Sequence, residues 1–245
     1  MKTLPSFIAV TAGIASYGIW AAALFGSYIY GRTRRSSSDY SIPVSARLAS
    51  SLVLAIGAAL QNVLLPQIIL DFTLFLAAGM LWGFIGDIFL SQTTGLKNSF
   101  LYGMLAFAVG HFFYIAAFWQ AGTFFHAEST LRFASFGSLL VVGLIGWYIL
   151  LIHHRQKTFL NWAALPYALL LAGTAGAALS AALVHAALWP CVIGALLFFI
   201  SDMLIAAQQF AGISFPRIGD AIWLTYGPAQ ALITAAPLLL LLWKS

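Results

Sequence analysis

Residues 70–91 read LDFTLFLAAGMLWGFIGDIFLS, and away from its ends this stretch contains a single ionisable side chain, Asp87. As an α-helix it would extend for roughly 33 Å at 1.5 Å per residue. That length matches the hydrocarbon core of a bilayer, which is about 30 Å thick. Because almost every side chain in the stretch is apolar, it predicts a membrane-spanning helix.

The rest of the chain has the same character. Of its 245 residues, 62% are hydrophobic and 7% are charged, and the mean hydropathy is +0.96. Soluble domains carry about 25% charged residues, so this chain cannot cover a water-facing surface. We therefore expect an all-α fold, a polytopic transmembrane helix bundle of about eight spans that forms one integral membrane domain over residues 1–245. The predicted spans are about 6–30, 45–63, 70–91, 99–119, 134–152, 163–184, 188–208 and 221–243. Because two of these lie close together, seven spans are an alternative.

The basic residues predict the orientation of the bundle, because lysine and arginine are enriched in cytoplasmic loops. Eight of the eleven follow the odd-numbered spans: Arg32, Arg34, Arg35, Arg47, Lys97, Arg155, Lys157 and Arg217. The other side holds Lys2, Arg132 and Lys244. Both termini are thus predicted on the non-cytoplasmic side of a bacterial inner membrane or an ER-type membrane. Because the bases form no stripe, no nucleic-acid partner is expected.

The acidic residues identify the candidate site. An ionisable group inside a span costs roughly 2.5–3.5 kcal/mol on insertion scales and marks a functional candidate. Four of the six acids fall in predicted loops or at helix starts: Asp39, Asp71, Glu128 and Asp220. Asp87 and Asp202 remain, inside spans 3 and 7.

Asp87 and Asp202 are predicted to lie at similar depths. Both spans run inward, and the two acids lie about one and two turns from the cytoplasmic ends. At 1.5 Å per residue their depths differ by only a few ångströms, so they can share one site in the cytoplasmic half of the bundle. The structural alternative is that each carboxyl caps a helix kink or pairs with Arg47.

Further polar residues fall at compatible depths. His111 and Tyr114 lie three residues apart on span 4, and Tyr226 and Gln230 lie four apart on span 8, so each pair shares a helix face. Arg47 begins span 2 on the same side. These five residues are the predicted substrate-binding groups of a polar cavity.

No metal or other cofactor is expected. A catalytic zinc site typically needs three ligands at one depth, whereas His111 is the only histidine predicted inside a span. The sequence contains one cysteine, Cys191, which we interpret as a core residue. It contains neither a phosphate-binding glycine loop nor the nucleophile elbow of serine hydrolases.

Four segments follow one another along the chain: Gly86-Asp87-x-x-Leu90, Gly103-x-x-x-Phe107 with His111-x-x-Tyr114, Gly194 through Ser201-Asp202, and Tyr226-Gly-Pro-Ala-Gln230. In this order and spacing they resemble the YhhN family of membrane lysoplasmalogenases, from about residue 75 to 235. The resemblance departs at Ala46-Arg47-Leu48, where the family often has Lys-Pro. The base is kept there as Arg47, but the proline is lost.

The resemblance implies an enzyme that hydrolyses the vinyl ether bond of lysoplasmalogens to a fatty aldehyde and glycerophosphoethanolamine or glycerophosphocholine. It also implies that Asp87 and Asp202 form the catalytic pair. The expected partners are a lysophospholipid substrate and membrane lipids. Vinyl ethers are cleaved by acid, and paired carboxyls in a low-dielectric site can divide the work, one protonated as the acid and the other ionised as the base. The sequence does not assign the two roles, nor does it give the head-group preference or the oligomeric state.

Two other functions fit the same residues. Buried acids with a histidine also suit the proton relay of a transporter. However, the two halves of the chain show no repeat of hydropathy, which many transporters have. A lipid-binding or sensor protein is the second alternative, and it would retain lipid binding after both acids were replaced by asparagine.

Overall fold

The computed structural model describes residues 4–34, 40–65, 69, 71–152 and 159–243. Within these ranges the secondary structure is helical, with no strand. Several residues used in the sequence predictions lie outside the described residues: Lys2, Arg35, Asp39, Arg155, Lys157 and Lys244.

Helix α1 is continuous over residues 4–34 and includes a π-helical turn at Ala22–Gly26. The helices that follow are α2 (Val44–Leu64), α3 (Phe72–Leu90), α4 (Ser99–Phe124), α5 (Ser129–Trp147, extended by the π-helical turn Tyr148–Ile152), α6 (Phe159–Val184), α7 (Trp189–Phe210), α8 (Ile218–Thr234) and α9 (Ala236–Trp243). Seven described helices are long and apolar enough to cross a bilayer. Helices α8 and α9 meet the same length and hydropathy requirement only as a pair, which is bent by 48° and brings the number of spans to eight if it crosses as one. The predicted all-α bundle of about eight spans is confirmed.

Local sequence explains where several helices begin and end. Pro43, in extended conformation, precedes α2, and Pro190 occupies the first turn of α7, where a missing N–H costs no hydrogen bond. The turn after α3 uses left-handed backbone at Gly95 (φ 66°), and the turn after α7 does so at Gly212 (φ 63°). These turns reverse the chain within a few residues.

The helices pack mainly as sequential pairs. Helix α3 lies along α4, α5 along α6, and α7 along α8, while α4 also packs on α6 and so joins the two halves of the bundle. The main apolar core includes Phe72, Leu76, Phe118 and Phe198, all almost completely buried. This packing brings the ends of α2, α3, α4, α7 and α8 together around one cavity.

Candidate active site

The cavity at these helix ends has a volume of about 140 Å³ and is lined by both predicted acids, Asp87 from α3 and Asp202 from α7. Arg47 and Tyr226 line it as well. The exposed side chain of Gln92 lies at its rim and connects it to the surface. We call this space the polar cavity. It lies on the side that the basic residues assign to the cytoplasm, an assignment that stays a prediction.

Asp87 ends a chain of hydrogen bonds through the bundle. Its Oδ2 accepts bonds from Ser51 Oγ (2.5 Å) and from Tyr226 OH (2.8 Å). Tyr226 OH in turn accepts a bond from Nε2 of Gln230 (3.1 Å), and the Oε1 atom of Gln230 accepts one from Tyr114 OH (2.7 Å). Each polar side chain in this row of hydrogen bonds has a partner. The row therefore fixes the rotamer of the Asp87 carboxyl.

One face of α3 explains how these large side chains fit. Gly79, Gly83 and Gly86 follow one another at helical spacing and end beside Asp87. A Cβ atom at Gly79 would overlap the ring of Tyr114, and one at Gly83 would lie 2.5 Å from Nε2 of Gln230. The absence of side chains on this face therefore makes room for the hydrogen-bonded residues that hold Asp87.

Asp202 is half-buried and accepts a hydrogen bond at Oδ2 from Tyr167 OH of α6. The sequence predictions did not include Tyr167. A tyrosine near the end of a span is usually interpreted as an anchor at the membrane interface. The rotation of α6 about its axis, which the sequence does not give, brings the hydroxyl of Tyr167 to Asp202.

A second cavity meets the polar cavity at Asp202. Its volume is about 80 Å³, and its walls come chiefly from α4, α5, α6 and α7. Apart from Asp202 and Tyr167 its lining is apolar. We call it the apolar cavity. Five residues line both cavities: Leu90, Phe100, Phe107, Asp202 and Ile205.

Arg47 supplies positive charge to the polar cavity. Its guanidinium lies 4.1 Å from the ring centroid of Tyr40 and 5.7 Å from that of Trp223, which orients it by cation–π contact. Within the described part of the chain, Nε of Arg47 has no hydrogen-bond partner. The guanidinium therefore retains donor capacity for an anionic group.

The segment that carries Tyr40 is fixed by Asp220, one of the acids predicted at helix starts. Oδ1 of Asp220 accepts hydrogen bonds from the backbone N–H groups of Ser41 (2.7 Å) and Ile42 (3.2 Å). The ring of Tyr40 packs directly on Gly219, where a side chain would overlap it. Asp220 therefore holds the wall against which Arg47 stacks.

His111 lies apart from the other predicted site residues. Its Nδ1 is hydrogen-bonded to Oγ1 of Thr174 on α6 at 3.0 Å, and its ring centroid lies 4.5 Å from that of Phe198. It lines neither cavity. Tyr114 and Gln230 lie behind Asp87 in the hydrogen-bond chain and likewise do not line the cavities. Substrate binding by these three residues stays a prediction.

Over the ranges that the structure describes, no group of three His, Cys, Asp or Glu side chains is arranged to hold an ion. The two site carboxyls are instead held by hydroxyl donors from serine and tyrosine.

A sequence profile of the YhhN family matches residues 43–236, about four fifths of the chain. The chain belongs to the YhhN family. The match runs from the residue before α2 to the first residue of α9 and so contains every polar group described above from Arg47 to Gln230. Searches of curated proteins and of solved structures returned no match for this YhhN protein.

Proposed function

We propose that this YhhN protein hydrolyses the vinyl ether bond of lysoplasmalogens to a fatty aldehyde and glycerophosphoethanolamine or glycerophosphocholine. The observation that carries the proposal is the position of Asp202, between a polar cavity that contains Arg47 and an apolar cavity. A lysoplasmalogen has the same order of parts: a phosphate, a glycerol, a vinyl ether and one hydrocarbon chain. Membership of a family that includes membrane lysoplasmalogenases agrees with this order.

The reaction needs an acid before it needs a nucleophile. A proton adds to the β-carbon of the vinyl ether, on the chain side, and leaves an oxocarbenium ion at the carbon bonded to oxygen. Water adds to that carbon and gives a hemiacetal, which collapses to the aldehyde and the glycerol hydroxyl. The site must therefore hold a proton donor toward the chain and a base toward the head group.

Asp202 suits the role of the acid, because it lines the apolar cavity as well as the polar one and so faces the chain side of the vinyl ether. Asp87 lines only the polar cavity, and two hydroxyl donors on its Oδ2 stabilise a carboxylate. It stabilises the oxocarbenium ion and takes a proton from the attacking water. When the hemiacetal collapses, Asp87 gives that proton to the leaving glycerol oxygen, and the hemiacetal hydroxyl returns one to Asp202.

An isotope experiment tests the reaction. Purified protein in D₂O is expected to convert lysoplasmenylethanolamine to an aldehyde that carries one deuterium at C2. In H₂¹⁸O, the glycerophospho product is expected to contain no ¹⁸O, since water attacks the chain carbon and the bond to glycerol oxygen breaks. The matched control is the saturated 1-O-alkyl lysophospholipid, which should remain intact. Absence of aldehyde, or ¹⁸O in the glycerophospho product, would refute the proposal.

Tyr167→Phe tests how Asp202 is positioned. The variant removes the hydroxyl that donates to Oδ2 of Asp202 and leaves the ring in place. Asp202 becomes a carboxylate as it donates its proton, and hydrogen bonds to charged groups contribute about 1.5–3 kcal/mol, so we expect kcat for aldehyde release to fall about 10–100-fold with little change in KM. Tyr102→Phe, on an exposed tyrosine of α4, is the control and should match the wild type. A Tyr167→Phe variant with unchanged kcat would remove Tyr167 from the mechanism.

A further inference from the structure

The apolar cavity has the shape and lining of a site for one hydrocarbon chain. Along α7 it extends from Phe199 to Phe210, roughly 16 Å at 1.5 Å per residue. Its two polar side chains, Asp202 and Tyr167, are bonded to each other. A chain lying beyond this pair would contact only apolar groups.

The wall toward α5 is thin and faces the bilayer. Helix α5 packs along α6 and meets α7 mainly through its π-helical turn Tyr148–Ile152. Before that turn, α5 lines the cavity with Gly143, Gly146 and Trp147, and the two glycines place no side chain in this wall. On the α7 side the lining residues Phe199 and Met203 are only half-buried. The seam between α5 and α7 therefore lacks a side chain at the two glycines, and its α7 side is only half-buried.

We propose that this cavity holds the hydrocarbon chain of a single-chain phospholipid entering from the bilayer between α5 and α7, and that Gly146 sets the space available to that chain. The identity of the head group and of the bond that is cleaved rests on the proposed function. The occupancy of the cavity by a chain does not, because it follows from the apolar lining, the thin seam and the connection to the cavity that contains Arg47.

Gly146 can control this space because helix packing does not require a glycine at this position. A Cβ atom at Gly146 would meet only the ring of Phe199, at 3.7 Å, which is an ordinary contact. At Gly143 a Cβ atom would lie 3.0 Å from the carbonyl oxygen of Ala168, so that glycine is needed for helix packing. A larger side chain at position 146 therefore occupies the cavity without displacing α6.

Steric fit is the property to measure. A chain that leaves the bilayer exchanges one apolar environment for another, so burial alone gives it little free energy. Contact with the cavity walls decides its occupancy, and a leucine placed in the space should exclude it. An affinity that depends on chain length in detergent would not distinguish transfer into the micelle from binding in the cavity. Covalent labelling instead identifies the residues that contact the hydrocarbon chain.

The experiment uses a 1-O-hexadecyl lysophosphocholine with a diazirine midway along the chain, which contains no vinyl ether. Photolysis and peptide mass spectrometry should find label on Trp147 and Met203 in the wild type. In Gly146→Leu this labelling should fall at least about fivefold, the effect of overpacking by roughly 1 kcal/mol. Gly137→Leu is the matched control, since it lies on the same helix with no atom within 4 Å of its Cβ position, and its labelling should equal that of the wild type.

Equal cavity labelling in Gly146→Leu and Gly137→Leu, or no cavity labelling in the wild type, would overturn the inference. If Gly146→Leu does not fold, the series Gly146→Ala and Gly146→Val must show labelling that decreases with side-chain volume, and a flat series would overturn it equally. Aldehyde release is assayed in parallel. Cavity labelling without aldehyde release would refute the proposed reaction alone, and aldehyde release without cavity labelling would refute the chain site alone.

Discussion

Replacing either site carboxyl with an amide, as Asp87→Asn or Asp202→Asn, is expected to lower the rate of aldehyde release about 10²–10⁴-fold, the usual contribution of a general acid or base. Asparagine has nearly the same shape as aspartate. It also keeps an oxygen that can accept the hydrogen bond that a tyrosine hydroxyl donates to each carboxyl. It can neither donate the proton required at the β-carbon nor accept one from water. Rates are compared in detergent with lysoplasmenylethanolamine at saturating concentration.

The control for these variants is Asp71→Asn, the same change at the opposite end of α3. Asp71 has φ 56°, a left-handed conformation that asparagine tolerates well, and its side chain does not cap the helix. It should retain wild-type activity. The two carboxyls are expected to act as a unit, so the double variant should be little slower than the slower single variant. Full aldehyde release in both single variants would eliminate the paired-carboxyl mechanism. A lipid-binding protein would instead release no aldehyde as the wild type and would retain lipid binding in both variants.

The bundle could be predicted from sequence because hydropathy fixes the length and number of spans almost independently of tertiary packing. The predicted span 45–63 corresponds to α2 (Val44–Leu64), and 188–208 lies within the observed helical range Ala186–Phe210. The last span was predicted as one helix over 221–243. The structure bends it by 48° between α8 and α9, a feature that composition does not reveal.

That the two acids line one cavity was also predictable, because helical rise converts residue number into position along a span. Helix rotation is different, since it depends on which partner each face meets. His111 and Tyr114 illustrate this. Both are buried, as predicted for a shared inner face, yet Tyr114 joins the hydrogen-bond chain to Asp87 whereas His111 contacts Thr174 on α6.

Ser51 shows the same limit for a small side chain. Its neighbour Ser50 donates to the backbone carbonyl of Arg47, three residues earlier, as serines in helices commonly do. Ser51 instead donates to Asp87 on a different helix. No local signal distinguishes the two serines, because only the packing of α2 against α3 selects which hydroxyl faces the carboxyl. The apolar cavity is likewise a property of four helices together and has no sequence pattern of its own.

Arg47→Met is expected to raise KM for lysoplasmalogens about 10–100-fold and to change kcat little, because a charge-assisted hydrogen bond to a phosphate contributes about 1.5–3 kcal/mol to binding. Arg47→Lys keeps the charge but loses the planar fork that stacks on Tyr40, so its KM should be intermediate. The direct readout is competition by two inhibitors, a 1-O-alkyl lysophosphocholine and the corresponding 1-O-alkylglycerol without phosphate. Wild-type protein should prefer the phosphate-containing inhibitor, and Arg47→Met should lose that preference.

Arg132→Met separates loss of phosphate recognition from loss of a stacked arginine. The guanidinium of Arg132 lies 4.2 Å from the ring centroid of Trp119 and so repeats the cation–π contact of Arg47 at the opposite end of α4. Removing it deletes the same kind of contact far from both cavities, and KM and inhibitor preference should remain at wild-type values. If Arg132→Met lowered the preference as much as Arg47→Met, the effect would reflect general destabilisation of the bundle. If Arg47→Met retained the preference, the phosphate would have to be bound by another group. The head group would then not occupy the polar cavity in the orientation that places the vinyl ether between Asp87 and Asp202.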